Sequence, residues 1–498
     1  MGVVNTIGSW YFKKRAKSVF EKIADFKSIQ QQTFKRLIDD AKNTQFGIKY
    51  DFEHIKSYKK FAEIVPFATY EELFPYIQKN LEGQENILWP SDIQWFAKSS
   101  GTTNDISKFI PLSFETLEEC HFEAGKDVLS LQVHHNPDSK LFEGKGLLIG
   151  GSNSVNTGNS KTNFGDLSAV LMSEMPFWAN LIKTPDLSIA LLENWDEKVF
   201  KIAEATMTEN VTSISGVPTW TLVILKKVLE LSGKQTLKEV WPNLELYIHG
   251  GIDFKPYKKQ FLDLLGNSKN FSFIETYNAS EGFFGIQTGK EPLLTLMPHY
   301  GIFYEFINLE TGETHTVESI VTNSIYEVVI STQSGLWRYK LGDTISFAIT
   351  NPPMFEITGR TKSYINAFGE ELMIHNAANA LEKVCTQYDL NLLDYTAGPV
   401  FYQGTKNVGS HEWIISFTEP PADSTQFAID FDLALQAVNS DYQAKRKSNM
   451  AMGEPIIHLV NHEVFNKWLK KKKKLGGQHK VPRLCNNRIV LEEIKKFI

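Results

Sequence analysis

The sequence predicts an α/β protein with an added β-rich part and a smaller C-terminal portion in which helices return. Three observations carry this reading. The chain has 498 residues, too many for one hydrophobic core, so two or three domains are expected. Apolar runs of strand length alternate with segments of helical spacing up to about residue 360. Helical spacing resumes after residue 370.

The elements follow in order. Residues 10 to 40 read as helix, because Phe12, Val19, Phe20, Ile23, Phe26, Phe34, Leu37 and Ile38 recur near helical spacing. Residues 85 to 115 read as strand, loop, strand. Residues 144 to 165 are rich in Gly, Ser and Asn and read as a long irregular segment. Thr219 to Leu231 reads as a helix entered through Gly216-Val217-Pro218. Leu244 to Ile248 is a buried-strand pattern that stops at Gly250-Gly251. Phe271 to Ile274 is another, ending where Glu275-Thr276-Tyr277-Asn278-Ala279-Ser280-Glu281-Gly282 begins. Alternating strands then dominate, as in Ile302 to Ile307 and Tyr326 to Ser331. Helices return at Asn376 to Val384 and Glu463 to Lys474. Asn351-Pro352-Pro353 and the Gly359-Arg360-Thr361-Lys362 run place a domain boundary there.

Composition narrows the function classes. Apolar residues make up 42% and charged residues 22%, which is ordinary for a globular protein and excludes general disorder. The net charge of −6 and a pI near 6.1 give no electrostatic case for nucleic acid. Cys120, Cys385 and Cys485 lie far apart without a Cys-x-x-Cys. That pattern fits a reduced, cytoplasmic protein and not a disulfide framework or structural zinc site. No apolar run approaches the roughly 18 residues of a membrane span. Lys13, Lys14 and Arg15 interrupt any signal-like apolar stretch.

The segment that carries most chemistry is Ser99-Ser100-Gly101-Thr102-Thr103, with Lys108 close behind. A loop of hydroxyls and small residues can turn N–H and O–H groups inward and hold polyphosphate. The same composition also makes plain turns. It is not a Walker loop, since the Gly-x-x-x-x-Gly-Lys order is missing and a strand follows. Gly250-Gly251 at one strand end and Tyr277 near another suit a ligand crevice beyond strand termini. Paired glycines let a flat ring approach the backbone, Tyr277 could stack on it, and Glu281 could hold a hard cation beside phosphates. Asp343, in Trp337-Arg338-Tyr339-Lys340-Leu341-Gly342-Asp343, could accept ribose hydroxyls from a strand end or simply form a turn. Metal ligation by histidine has little support. His134-His135 read as surface residues, and the His458/His462 spacing lacks the glutamate of the zinc-protease pattern. Cys120 has no adjacent base that would make it a nucleophile. The lysine run from Lys470 to Lys474 reads as a solvated helix end.

Taken in order, Ser100-Gly101-Thr102-Thr103…Lys108, Gly250-Gly251, Tyr277-x-x-Ser280-Glu281-Gly282, Arg338-Tyr339-x-x-Gly342-Asp343 and Gly359-Arg360 resemble the adenylating superfamily. Two details narrow the resemblance. The loop continues Asn104-Asp105-Ile106-Ser107-Lys108 and lacks the Gly and Pro usual in acyl-CoA synthetases. Gly477-Gln478-His479-Lys480-Val481-Pro482-Arg483 stands near the C-terminus. Both are similar to the Gretchen Hagen family of acyl-acid amido synthetases, the auxin-responsive enzymes and their bacterial relatives.

The resemblance implies a fold and a set of roles. The fold is a large N-terminal adenylating domain, β-sheets sandwiched by helices plus a β-rich subdomain, over residues 1–360. A smaller mobile α+β lid domain covers residues 361–498. ATP and magnesium are the implied cofactors, with a carboxylic acid and an amino acid as substrates. Ser99, Ser100, Gly101, Thr102, Thr103 and Lys108 would grip the triphosphate. Gly250, Gly251, Tyr277 and Ser280 would frame the nucleotide, Asp343 would hold the ribose and Glu281 the magnesium. Arg360 would sit near the ribose and α-phosphate. Lys480 would meet the α-phosphate and the attacking carboxylate. Leu171, Met172, Val217 and Trp220 are candidates for the acid pocket, although such faces are more often plain core. An acyl-CoA ligase shares the first half-reaction, and a non-catalytic nucleotide- or acid-binding module is the rival of another class.

Overall fold

A computed structural model of the chain describes residues 3–99, 108–151, 153–154, 161–251, 254, 257–266, 271–360, 364–401, 408–447, 452–472 and 481–498. The chain forms two compact units. The larger ends at Thr361, and the main part of the smaller spans Lys362–Ile498.

The larger unit is built on a sheet of twelve strands among the described residues. Five of them, Lys183–Thr184, Lys145–Leu148, Val211–Ser215, Leu246–Gly250 and Ser272–Ala279, pair parallel in that spatial order. Parallel neighbours need crossovers, and helices supply them. Trp195–Thr206 precedes Val211–Ser215, Pro218–Ser232 precedes Leu246–Gly250, and Lys258–Leu265 precedes Ser272–Ala279. Beyond Ser272–Ala279 the sheet continues through antiparallel pairs, among them Gly282–Ile286, Tyr339–Thr350 and Pro353–Arg360. This half is the β-rich part expected from the alternating sequence. A second sheet holds Lys108–Leu112, Trp95–Ser99, Asn163–Gly165 and Asn153–Ser154.

Several elements differ from the sequence reading. The helix expected over residues 10 to 40 is two helices, Val3–Ala24 and Phe26–Ala41, that meet at Asp25. The first starts early because Asn5 is buried and bonds to the chain near Ser139 and Phe142. It is also pinned by Arg15, which pairs with Glu123 and Asp127. The segment 144 to 165 is not wholly irregular. Lys145–Leu148 lies between two parallel neighbours, and tertiary pairing overrides its glycines. The strand expected to stop at Ile274 runs on to Ala279, since Gly282–Ile286 folds back and pairs with its polar end. Asp343 lies inside the long strand Tyr339–Thr350 and not at a strand end.

The smaller unit carries a sheet of Leu392–Val400, Ser410–Phe417 and Ile456–Leu459. The helices Ile374–Tyr388, Ser424–Val438 and Glu463–Lys471 belong to the same unit. Trp413, fully buried on the central strand, meets Phe431 edge-on at 4.9 Å. His458 lies on a strand and His462 caps a helix, so the pair does not share a helical face. His458 bonds to Glu412, which also takes Arg488 and Lys495.

Candidate active site

The hydroxyl-rich run connects two paired strand ends. Trp95–Ser99 and Lys108–Leu112 are antiparallel, with Ser99 opposite Lys108. The second arm is therefore a strand, as the sequence implies. Ser100, Gly101, Thr102 and Thr103 lie outside the described residues, as does Lys480. Lys108 is placed. Its ammonium lies 3.5 Å from the Tyr339 hydroxyl and 5.5 Å from the centre of the Tyr70 ring. Tyr70 is held in turn by the backbone N–H of Phe109. The Tyr339 hydroxyl donates toward a Glu281 carboxylate oxygen at 3.4 Å. Burial and the nearby Glu281 push the Tyr339 pKa well above that of a free phenol, so it stays a donor. A cation, a phenol and a carboxylate thus form one chain of contacts.

Tyr277 and Asp343 meet directly. The Tyr277 hydroxyl donates to the Asp343 carboxylate at 2.6 Å, and both residues are buried. The Tyr277 ring also packs against Phe284 and Phe355. Asp343 is opposite Arg360 across the strand pair, which brings the backbone of that residue alongside. Gly342 takes φ +84°, a left-handed bend where glycine carries no Cβ penalty. Arg338 turns away from this cluster. Its guanidinium grips Glu305 through Nε and Nη2 and bonds the carbonyls of Ala62 and Val65, so it is a packing element of the core.

Gly250 ends the strand Leu246–Gly250 in register with Thr276. A Cβ there would stand 2.4 Å from the Thr276 carbonyl oxygen, so a side chain would wedge the two strands apart. Gly251 follows at φ +82°. Both glycines and Ser280 edge a cavity of about 560 Å³, within the usual range for small-molecule sites. Leu171, Met172, Val217 and Trp220 all line it. The structure therefore joins the four apolar candidates to the glycine pair in one space. Glu281, which meets Tyr339, directly follows the lining residue Ser280 in the chain.

Two lining features escape the sequence reading. Gly150 and its neighbour Gly151 are clamped by Lys198, whose buried ammonium donates to both carbonyls at 2.7 and 3.0 Å. Burial draws the Lys198 pKa down to about 8. Ser168 accepts the Gly151 N–H at 2.9 Å. The one signal for Lys198 was its place on the inner stripe of Trp195–Thr206, with Ile202 and Thr206. The second feature is His121, which lines the cavity from the turn Thr116–Phe122. Cys120, beside it, is buried, accepts the Phe283 N–H and has its pKa pushed up to about 12. A thiol so placed is inert. His134 and His135 are exposed.

Comparison with known proteins gives consistent findings. The GH3 family N-terminal domain matches residues 15–270, the central domain 294–360 and the C-terminal domain 375–489. The chain is 21% identical to a jasmonoyl–L-amino acid synthetase of Oryza sativa subsp. japonica, over 93% of each chain. It is 23% identical to an indole-3-acetic acid-amido synthetase of Arabidopsis thaliana, covering 87% of this chain and 86% of that one. Its fold is similar to that of the solved GH3.15 acyl acid amido synthetase, with a TM-score of 0.60 and 19% identity over 96% of this chain and 95% of that one.

Proposed function

The chain belongs to the GH3 family, and from that premise we propose that it is an ATP-dependent, AMP-forming acyl-acid amido synthetase. It adenylates a carboxylic acid with release of pyrophosphate and then passes the acyl group to an amine, an amino acid. The observation that carries this reading is a convergence. Tyr277 meets Asp343, Lys108 meets Tyr339 and Glu281, and the chain neighbours Thr276, Asn278 and Ser280 line an apolar cavity together with Gly250 and Gly251.

The assigned roles follow from charge and position. The cavity takes the hydrocarbon body of the acid against Leu171, Met172, Val217 and Trp220. The glycine pair lets the adenine lie against the backbone, and Asp343, pre-set by Tyr277, accepts the ribose hydroxyls. Ser99, Ser100, Thr102, Thr103 and Lys108 take the triphosphate, with Gly101 allowing the close approach. Attack of a carboxylate on an α-phosphate brings two anions together, so fixed cations must stand where charge develops. Lys108, Arg360 and Lys480 have that role, with Lys480 carried by the lid formed by residues 361–498. Water exclusion by the lid protects an acyl-adenylate that hydrolyses readily.

Glu281 fits a magnesium ion. It offers one half-buried carboxylate, and no cluster of three or more His, Cys, Asp or Glu is present among the described residues. Magnesium is held in that way, by few carboxylates plus phosphate oxygens. When bound it would offset phosphate charge.

The test is product analysis with magnesium-ATP, a pool of carboxylic acids and a pool of amino acids, with hydroxylamine as an alternative trap. An acid-dependent amide or hydroxamate, found by mass together with AMP, is the expected result. A thioester that forms only with coenzyme A would replace this reading by a CoA ligase. ADP and phosphate as products would overturn the adenylation altogether.

A further inference from the structure

The chain changes sheets beside the cavity. Ile149 still belongs to the large sheet, its N–H donating to the Ser215 carbonyl at 2.9 Å. Asn153–Ser154 already pairs in the second sheet. Between them, the carbonyls of Gly150 and Gly151 both accept from the Lys198 ammonium, at 2.7 and 3.0 Å. Lys198 is 2% exposed. Lysine is almost never so buried unless it is paired, and dehydrating its charge costs stability unless hydrogen bonds offset the loss. Burial draws its pKa down to about 8, against the nearby Asp166, so it is still charged near neutral pH. Methionine would fill a similar volume with no charge to dehydrate, but it could not donate to a carbonyl. The turn is closely packed as well. A Cβ on Gly150 would stand 2.6 Å from the Ser168 hydroxyl oxygen and 3.0 Å from Met172 Cε. The Gly151 N–H donates to the same hydroxyl at 2.9 Å. Gly150, Ser168 and Met172 all line the cavity.

We propose that Lys198 is a positioning residue for the acid: by fixing the Gly150–Gly151 turn against the helix Leu167–Ser173, it sets the size of the cavity and so decides which acids fit. This rests on the reading that the cavity holds the acid. Lys198 does not itself line the cavity, so it acts through Gly150 and touches no reacting atom. A pocket discriminates by size only when its wall does not yield, and a wall is kept from yielding by hydrogen bonds behind it. Lys198 supplies those bonds where the pairing of the large sheet has ended. Without them the turn and the helix packed on it can relax around an ill-fitting acid. The glycine pair assigned to the nucleotide, Gly250 and Gly251, follows a different strand, so ATP binding should not depend on Lys198.

The test uses phenylacetate, phenylpropanoate and phenylbutanoate, each one methylene longer than the last. Binding is read from tryptophan fluorescence, since Trp178 and Trp220 line the cavity, and so needs no turnover. ATP binding is read by calorimetry on the same proteins. Wild type should prefer one acid over its neighbour by about tenfold or more, as one methylene in a closed pocket allows. Lys198→Met should narrow that preference severalfold and leave ATP affinity unchanged. Lys198→Gln keeps two N–H donors and should recover part of the preference; if Lys198→Met does not fold, this variant carries the test alone. Equal binding or no binding of the three acids by wild type, or a wild-type preference in the variants, would overturn the proposal. So would an ATP affinity that falls in step with acid affinity, because Lys198 would then only hold up the fold. Pyrophosphate release with the same acids separates the two claims. A preference that depends on Lys198 without pyrophosphate release leaves its role in place and removes the synthetase reading; release with one preference in all three proteins does the reverse.

Discussion

Asp343 and Lys480 test the residue-level assignments in different ways. The ribose does not change charge during reaction, so Asp343→Ala removes binding common to ground state and transition state. Its ATP KM should rise by about tenfold or more while kcat changes little. Tyr277→Phe keeps the carboxylate and removes only its 2.6 Å partner, so its effect should be smaller in the same direction. An unchanged ATP KM in Asp343→Ala would end the ribose role. Lys480→Ala should instead lower the adenylation rate by roughly 10² or more, with ATP binding only modestly affected. A wild-type rate in single-turnover assays would remove Lys480 from the mechanism. Asp343 and Tyr277 were legible as separate motif residues, but their contact was not. The contact joins residues 66 apart in the chain, on strands that are not neighbours in the sheet, so no local pattern announces it. His121 gave no signal at all, because a lone histidine in a helical stretch reads the same whether it is bonded or bare.

Among elements, the parallel strands Leu246–Gly250 and Ser272–Ala279 bear the most weight, since their adjacent ends carry the glycine pair and Tyr277. Gly250→Ala places a methyl 2.4 Å from the Thr276 carbonyl oxygen. Backbone cannot yield as a flexible side chain does, so the variant should lose about 1–3 kcal/mol, as overpacked sites do, and bind ATP more weakly. Urea denaturation read beside an ATP titration checks both, and wild-type values in both would show that the close approach does not matter. The apolar half of Ser272–Ala279 was readable because Phe273 and Ile274 are strand formers. Its polar half, Glu275 to Ala279, was not, because a strand made regular by its hairpin partner Gly282–Ile286 needs no hydrophobic alternation of its own. The same reason hid Lys145–Leu148, where only Leu147 is fully buried and two parallel neighbours supply the pairing.

For the whole molecule, acid should affect the two units in sequence. In the larger unit His121 and His249 have folded pKa values drawn down to about 4 and about 3, chiefly by burial. An unfolded histidine takes its proton near pH 6.5, so the unfolded state binds more protons below that point. Stability is then lost as pH falls from about 6.5 toward 4, by about 3 kcal/mol for His121 alone. In the smaller unit Glu412 is held down to about 2, against its burial, by hydrogen bonds from Lys495, Arg488 and His458. Its contribution is lost only below about pH 4.5. Hydrogen exchange near pH 5 should therefore open the larger unit first, and His121→Leu should delay that opening; simultaneous opening of both units would contradict the assignment. Chemistry at this scale is simpler to test. The central claim is that the chain makes an acyl-adenylate, and acid-dependent exchange of labelled pyrophosphate into ATP measures that step without any amine. Exchange that requires both magnesium and a carboxylic acid, and that is lost in Lys480→Ala, is the predicted result. Cleavage of ATP to ADP, or acid-driven consumption of ATP with no pyrophosphate exchange, would contradict it.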